Sequence, residues 1–333
     1  MKRNYWMMVL CLLAGGIAGC SDDDNGPSWK ELFDKEQALI REFMKDKSPK
    51  DSVVFDVEYK KKKFQDVAYV FNYSTDNSKK KPKDGQFILV NYTDRALNNV
   101  ILDDTRLSTV GGEKIEYPKY PTGGPVYEQV ISDEEVYSRF FKYFSEGTSG
   151  SIILSSLLSA SSTYLYREYK VEKIIEGSLL DYEYELMDEF LKAKGFDRKI
   201  SIEVPSKMLN DTVTKIVKFE EIEGEAILVT DSITVHCNGY ILDEFSNNFD
   251  EGKLRAVLKM DEEKKETWKV SDLIEGLKVG LTEMKVGEKA YILIPSGRAY
   301  GKGILNYYYQ YVMPPYATLV YEIEIFNRKP NAK

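Results

Sequence analysis

The sequence predicts an α+β protein of two tandem modules, each an antiparallel sheet wrapping a short helix and each preceded by a longer helix. Three observations carry this. A helical apolar stripe occurs twice, a strand segment downstream of it occurs twice at nearly the same spacing, and period-2 alternation marks much of the remaining chain.

The first long helix opens at Ser28-Trp29-Lys30-Glu31, the spacing of a capping box. Its stripe, Leu39-Ile40-Arg41-Glu42-Phe43-Met44-Lys45, reappears as Leu186-Met187-Asp188-Glu189-Phe190-Leu191-Lys192. Apolar residues fall at i, i+1, i+4 and i+5 in both, which is one face of a helix. Downstream, Phe87-Ile88-Leu89-Val90-Asn91-Tyr92-Thr93 matches Ser232-Ile233-Thr234-Val235-His236-Cys237-Asn238. A third pair aligns Thr163-Tyr164-Leu165-Tyr166-Arg167-Glu168 with Thr318-Leu319-Val320-Tyr321-Glu322, with a longer loop before the last strand of the second copy. Lys289-Ala290-Tyr291-Ile292-Leu293-Ile294 alternates as a strand does. Short helices are expected over residues 133–145 and 270–283. Runs of strands with one helix among them give an α+β module.

Ahead of the modules, Lys2 and Arg3 precede an apolar stretch from Trp6 to Ala18. A spanning helix needs about 20 such residues, so this stretch reads as the core of a secretory signal. It ends in Ile17-Ala18-Gly19-Cys20, which resembles the bacterial lipobox and implies cleavage before Cys20 and lipid on its thiol. Ser21-Asp22-Asp23-Asp24-Asn25-Gly26-Pro27 follows as an acidic tether. It also resembles the surface-export signal of Bacteroidetes lipoproteins, although a plain solvated linker has the same composition. The expected layout is a signal peptide (1–19), a tether (20–27), an N-terminal helix (28–48), a degenerate module (49–178), a linker helix (179–196) and a second module (197–333). The expected location is the cell envelope, on the outer membrane, with the tether favouring the outer face.

Composition narrows the chemistry. The 333 residues carry a net charge of −8, which argues against nucleic acid as a partner. His236 is the sole histidine, so a His-based triad or a His-rich metal site is excluded. Once Cys11 leaves with the signal and Cys20 carries lipid, Cys237 is the only free thiol. Packing is the simplest role for Cys237 and His236. No cofactor and no metal is expected. The lysine runs at 60–63 and 79–83 are solvated loops within an acidic chain. Tyr307-Tyr308-Tyr309-Gln310-Tyr311 lies in the enlarged loop, where it either grips peptide or glycan or packs on its own domain.

The second module carries a run of motifs in order. They are Asn248-Phe249-Asp250, Leu273-Ile274-Glu275-Gly276, Met284-Lys285-Val286-Gly287-Glu288, Ala299-Tyr300-Gly301 and Pro314-Pro315-Tyr316-Ala317-Thr318-Leu319-Val320-Tyr321. Together, over roughly residues 200–328, they resemble the FKBP family of peptidyl-prolyl cis-trans isomerases. The resemblance implies a half-wrapped antiparallel sheet around one short helix, with an apolar groove between helix and sheet. Matched position by position, it assigns Phe249, Asp250, Tyr300 and Tyr321 as catalytic residues. It assigns Cys237, Trp268, Leu273, Ile274, Leu277, Val312 and Met313 as the substrate-binding wall. Trp268 can equally serve as core packing, and Asp250 as a turn carboxylate. Cys237 replaces the family's usual strand tyrosine, and Leu277 replaces its usual tryptophan. Residues 66–176 look like a degenerate copy, in which Leu102 replaces the Phe of the Phe-Asp pair and no Tyr-Gly is present. No isomerase activity is expected there.

The resemblance implies an isomerase acting on proline-containing polypeptides and assisting the folding of exported proteins, held to the membrane by lipid. The alternative is an FKBP-like scaffold, weak or inactive in catalysis, that binds a peptide, protein or glycan partner.

Overall fold

Strand pairing repeats itself in the computed structural model. It describes residues 28–330 apart from 60, 98–99, 107–108, 111–112, 115–118, 121–122, 132–134, 161–163, 197–201, 207–211, 246–248, 250–253 and 308. The expected signal, the tether and Cys20 lie outside the described residues, as does Asp250. The chain divides into two compact units, residues 1–118 with 128–174, and residues 119–127 with 175–333.

In the first unit, helix α1 (Trp29–Phe43) precedes strands β1 (Lys50–Tyr59), β2 (Lys62–Phe71), β3 (Phe87–Arg95), β4 (Ile101–Asp104), β5 (Thr109–Val110) and β6 (Glu113–Lys114). Strand β7 (Val126–Gln129), helix α2 (Ser138–Phe141), β8 (Ser149–Leu154), helix α3 (Ser156–Ser159) and β9 (Leu165–Ile174) follow. Its sheet runs β1-β2-β8-β9-β3-β4, with β7 also paired to β3.

In the second unit, helix α4 (Leu179–Ala193) precedes β10 (Ile202–Ser206), β11 (Thr212–Lys218), β12 (Ser232–Ile241), β13 (Arg255–Leu258) and β14 (Glu266–Lys269). Helix α5 (Glu275–Thr282), β15 (Lys289–Ile294), β16 (Ile304–Leu305), β17 (Tyr311–Met313) and β18 (Leu319–Lys329) complete it. Its sheet runs β10-β11-β15-β18-β12-β13, with β14 also paired to β12. The two orders are the same permutation, strand for strand, and the ladders of both are antiparallel. The mixed fold with antiparallel sheets is as the sequence predicts.

The long strands also break register at equivalent places. The β3–β9 ladder shifts between Leu89 and Val90, and the β12–β18 ladder between Thr234 and Val235. These are matched positions of the repeat. The ladders correct one alignment. Arg167 stands opposite Asp94 as Tyr321 stands opposite Gly239, so Arg167, not Tyr166, is the counterpart of Tyr321. The two closing strands share no side-chain identity strong enough to set this by sequence; backbone pairing sets it.

Local signals explain the helices. At α1 the capping box forms, with the Glu31 amide donating to Ser28 Oγ at 3.3 Å and the Ser28 amide donating to Glu31 Oε2 at 2.8 Å. The helix expected over 270–283 is shorter, because Leu273 and Ile274 are extended and end a single 3-10 turn before α5 begins. That expected over 133–145 is a single turn, α2.

One buried carboxyl ties α1 to its sheet. Asp66 on β2 accepts from Gln37 Nε2 at 2.8 Å and from the Ser155 hydroxyl. Burial raises its pKa from the ordinary 3.8 to about 6, with a further push from the Glu36 carboxylate. The folded state therefore holds this proton more tightly than the unfolded chain. Its contribution to stability is present at low pH and is lost as pH rises from 3.8 to about 6. We expect Asp66→Asn to flatten that part of the stability–pH curve, measured by urea unfolding between pH 4 and pH 7. A curve of unchanged slope would remove Asp66 as its source.

Candidate functional site

Helix α5 lies very close to β15, and glycine makes this possible. A Cβ on Gly276 would come within 2.2 Å of Ile294, and one on Gly280 within 2.5 Å of Ile292. These glycines are four apart and share one helix face. Ala290, Ile292 and Ile294 alternate along β15 toward the helix, while Tyr291 points to the other face of the sheet.

Between helix and sheet lies one apolar cluster. It contains Cys237, Leu277, Met313 and Tyr321 in its buried core, with Trp268, Leu273, Ile274 and Tyr300 packed against it half-buried. Eight of the expected site residues are therefore brought together. Val312 lies beside them on β17 and is exposed. Tyr321 owes its position to Gly239 across the ladder, where a Cβ would come within 2.5 Å of the Tyr321 ring. Sequence reasoning missed Gly239. The signal available was a lone glycine inside a strand, which often marks close approach.

The polar groups in this cluster are few. Tyr300 hydrogen-bonds Tyr321 through the hydroxyls, and burial raises the Tyr321 pKa well beyond the ordinary phenol value. Burial likewise pushes the Cys237 thiol up, so it stays protonated at neutral pH. The Cys237 amide donates to Met260 Sδ at 3.3 Å, and the Met260 amide to Asn238 Oδ1 at 3.0 Å. The loop that presents Tyr300 is pinned on both sides. The Gly301 amide donates to the Ser296 carbonyl at 2.9 Å, and the Tyr316 amide to the Gly301 carbonyl at 2.7 Å. Gly301 takes φ 51° and Gly303 φ 86°, and a Cβ on Gly303 would sit 2.6 Å from the Met313 carbonyl. These glycines let the Tyr300 loop lie against β17.

The loop is anchored from below by a buried polar pair of elements. Glu183 on α4 accepts from the Ser296 amide at 2.7 Å and from the Thr318 hydroxyl at 3.0 Å. Arg298, almost fully buried, donates to the Val204 and Thr212 carbonyls and meets Glu275 at the start of α5 at 3.2 Å.

Phe249 is placed elsewhere. It is buried with φ 55° and packs edge-on against Phe190 of α4, ring centroids 5.8 Å apart. Phe190 in turn meets Tyr291, on the face of β15 turned away from the cluster. A left-handed backbone is uncommon for so bulky a residue. Among the described residues no group of three or more His, Cys, Asp or Glu could hold a metal ion. The arrangement can serve as an apolar recess with two phenol hydroxyls, and its one thiol, Cys237, is kept protonated by burial.

The position equivalent to this recess in the first unit is filled by charge. Arg167 lies opposite Asp94 and pairs with it in a fork, Nε to Oδ1 at 2.5 Å and Nη2 to Oδ2 at 2.7 Å. Its guanidinium sits over the rings of Tyr92 at 4.1 Å and Tyr137 at 4.4 Å, and donates to the Tyr169 hydroxyl at 3.1 Å. Burial alone would lower the Arg167 pKa, but the Asp94 carboxylate more than offsets it and holds the net shift upward.

Comparison with known proteins agrees with the second unit. A family model described as FKBP-type peptidyl-prolyl cis-trans isomerase matches residues 224–326. The chain is 30% identical over 114 residues to the FKBP-type peptidyl-prolyl cis-trans isomerase FkpA of Escherichia coli, over 33% of this chain and 36% of that protein. It is 32% identical over 100 residues to FK506-binding protein 1B of Aspergillus fumigatus, over 30% of this chain and 79% of that protein. A crystal structure of FkpA from Escherichia coli aligns with a TM-score of 0.30 and 24% identity, covering 45% of this chain and 63% of that one. The alignment to FkpA thus spans little more than a third of that relative's length. Through its second unit, this chain belongs to the FKBP-type peptidyl-prolyl cis-trans isomerase family.

Proposed function

We propose that the second unit catalyses cis-trans isomerisation of X-Pro bonds in polypeptides. The observation that carries this is the apolar recess between α5 and the sheet, with the Tyr300–Tyr321 hydroxyl pair within it. Rotation of an amide loses C–N double-bond character and crosses a barrier of about 18–20 kcal/mol. Uncatalysed, an X-Pro bond takes tens to hundreds of seconds. The planar amide is more polar than the twisted one, so a water-poor wall of Leu277, Ile274, Met313 and Cys237 favours the twisted form. The phenols supply hydrogen bonds to substrate carbonyls. No residue has to act as a nucleophile.

The first unit is a degenerate copy of the same module. Its strand order and register shift support common ancestry, and Arg167 occupies the place where a substrate would enter. The chain is exported, anchored by lipid on Cys20 in the outer membrane, and assists the folding of exported proteins. A binding scaffold without catalysis is the competing reading, and the aliphatic floor at Leu277 and Cys237 favours it.

The deciding assay is proline-limited refolding of a test protein by the full chain, with Tyr300→Phe and Phe249→Ala alongside. The proposal expects acceleration that Tyr300→Phe diminishes. No rate above the uncatalysed one would overturn it in favour of the scaffold. Incorporation of labelled palmitate, lost in Cys20→Ala, tests the anchor separately.

A further inference from the structure

The β15–β18 ladder ends at the pair Ile294 and Leu319. Between those strands, residues 297–317 carry Tyr300 and Met313 of the recess. One carboxylate oxygen bridges the two chains just where the ladder stops. Glu183 Oε1 on α4 accepts from the Ser296 amide at 2.7 Å and from the Thr318 hydroxyl at 3.0 Å. The Ser296 hydroxyl donates to the same carboxyl. All three residues are buried. Burial raises the Glu183 pKa, and the three hydrogen bonds offset this only in part. Glu183 also interrupts the buried stripe that Leu186, Met187 and Phe190 continue along α4, a place where an apolar residue is the ordinary choice.

The first unit carries the same clasp. At the spacing that matches Leu39 with Leu186, the counterpart of Glu183 is Glu36 on α1. The β8–β9 and β15–β18 ladders make Ser156 the counterpart of Ser296, and Tyr164 that of Thr318. Glu36 accepts from the Ser156 amide at 3.1 Å, from the Ser156 hydroxyl at 2.9 Å and from the Tyr164 amide. What differs is the chain between the clasped ends. Residues 157–163 hold no aromatic side chain, whereas 297–317 supply part of the apolar cluster. The two copies thus share the clasp and differ in what it holds.

We propose that Glu183 is a positioning residue for the isomerase: by tying Ser296 and Thr318 to one oxygen, it sets where Tyr300 stands against Tyr321. This role rests on the recess being the peptide site. It makes α4, which lies upstream of the residues that the family model matches, part of the frame of that site. The lever is short. Tyr300 follows a single 3-10 turn that begins at Ser296, whose carbonyl accepts from the Ala299 and Gly301 amides. Tyr321 follows Thr318 on β18. The Tyr300–Tyr321 hydroxyl bond therefore spans the same two chains that Glu183 joins. An ionised carboxyl only accepts, which suits a place with three donors. Glutamine keeps one such oxygen.

The test uses the full chain and a proline-containing tetrapeptide, at a temperature where circular dichroism shows every variant folded. Glu183→Leu should lower kcat/KM by about fivefold or more, and Glu183→Gln should recover most of that loss. Glu36→Leu makes the same lesion in the first unit and should stay within about twofold of the parent, which separates misplacement of the loop from a general loss of stability. In a Tyr300→Phe background, Glu183→Leu should cost much less than it does in the parent, because the group it positions is gone. A smaller loss in Glu183→Leu, no recovery with glutamine, an equal loss in Glu36→Leu, or an undiminished loss in the Tyr300→Phe background would each overturn the role. Should Glu183→Leu fail to fold, Thr318→Val, which keeps the shape and removes one donor, carries the same cycle. No loss there, or equal losses with and without the Tyr300 hydroxyl, count against Glu183. Should no form of the chain isomerise the tetrapeptide, the proposed activity fails. The clasp is then judged on binding of the same tetrapeptide by titration calorimetry. Weaker binding in Glu183→Leu that the Tyr300→Phe background diminishes supports it. Unchanged binding, or none by the parent, overturns it.

Discussion

Replacing Leu277 by aspartate should lower kcat/KM for a proline peptide by about 100-fold, equivalent to ~2.7 kcal/mol of transition-state stabilisation. Leu277 is almost wholly buried on α5, among Cys237, Met313 and Tyr321. A carboxylate there brings charge and water to the wall that the twisted amide needs apolar. Its apolar surroundings would raise its own pKa, because desolvation disfavours the charged form and Cys237, Met313 and Tyr321 bring no positive charge. The neutral form then returns as pH falls, and part of the activity returns with it. Peptide assays from pH 5 to pH 8, with circular dichroism to establish folding, measure both effects. Leu277→Met, similar in volume, should stay close to the parent. Folded Leu277→Asp with undiminished activity at pH 7 would move the site elsewhere.

In the first unit, Arg167→Met should cost about 3–5 kcal/mol of stability, because it strands a buried carboxylate. Asp94 is 7% exposed, and its two oxygens are held by Arg167 Nε and Nη2. The double variant Arg167→Met with Asp94→Leu should recover most of the loss, since an apolar pair of similar volume needs no desolvated charge. Urea unfolding can read this in the chain without residues 1–19 and with Trp268→Phe, where Trp29 reports on the first unit. A single-variant loss below about 1 kcal/mol would mean that the pair is better solvated than its burial indicates.

The architecture was legible because its causes are local and repeated. Ser28 and Glu31 announce a helix start, Lys289–Ile294 alternates as a strand does, and the matched segments at 87–93 and 232–238 fall on equivalent strands with an equivalent register shift. Most of the recess was legible for a different reason: its residues match, position by position, the motifs by which the sequence resembles the FKBP family. What the sequence hid is set by partners distant along the chain. The counterpart of Tyr321 could not be told from its neighbours without the ladder that puts Arg167 opposite Asp94. The resemblance implied a catalytic place for Phe249, yet its ring lies on Phe190 of a helix far upstream. Gly239 mattered only once the Tyr321 ring was known to cross it. Nothing in the segment Gly123-Gly124-Pro125 points to Arg255, more than a hundred positions later, which donates to the Gly123 and Pro125 carbonyls.

The discontinuity of the second unit bears on how the chain is made. Residues 119–127 leave the ribosome early, yet their partners Arg255 and Tyr311 come far later. At about 5–20 residues per second the wait is roughly 10–40 s. Through that interval the first unit can gather β8 and β9, while this short stretch stays solvated. Synthesis thus imposes an order, in which the segment is threaded last although it is translated first. Cutting the gene at residue 175, where the continuous part of the second unit begins, would still yield a polypeptide missing nine residues that its own fold uses.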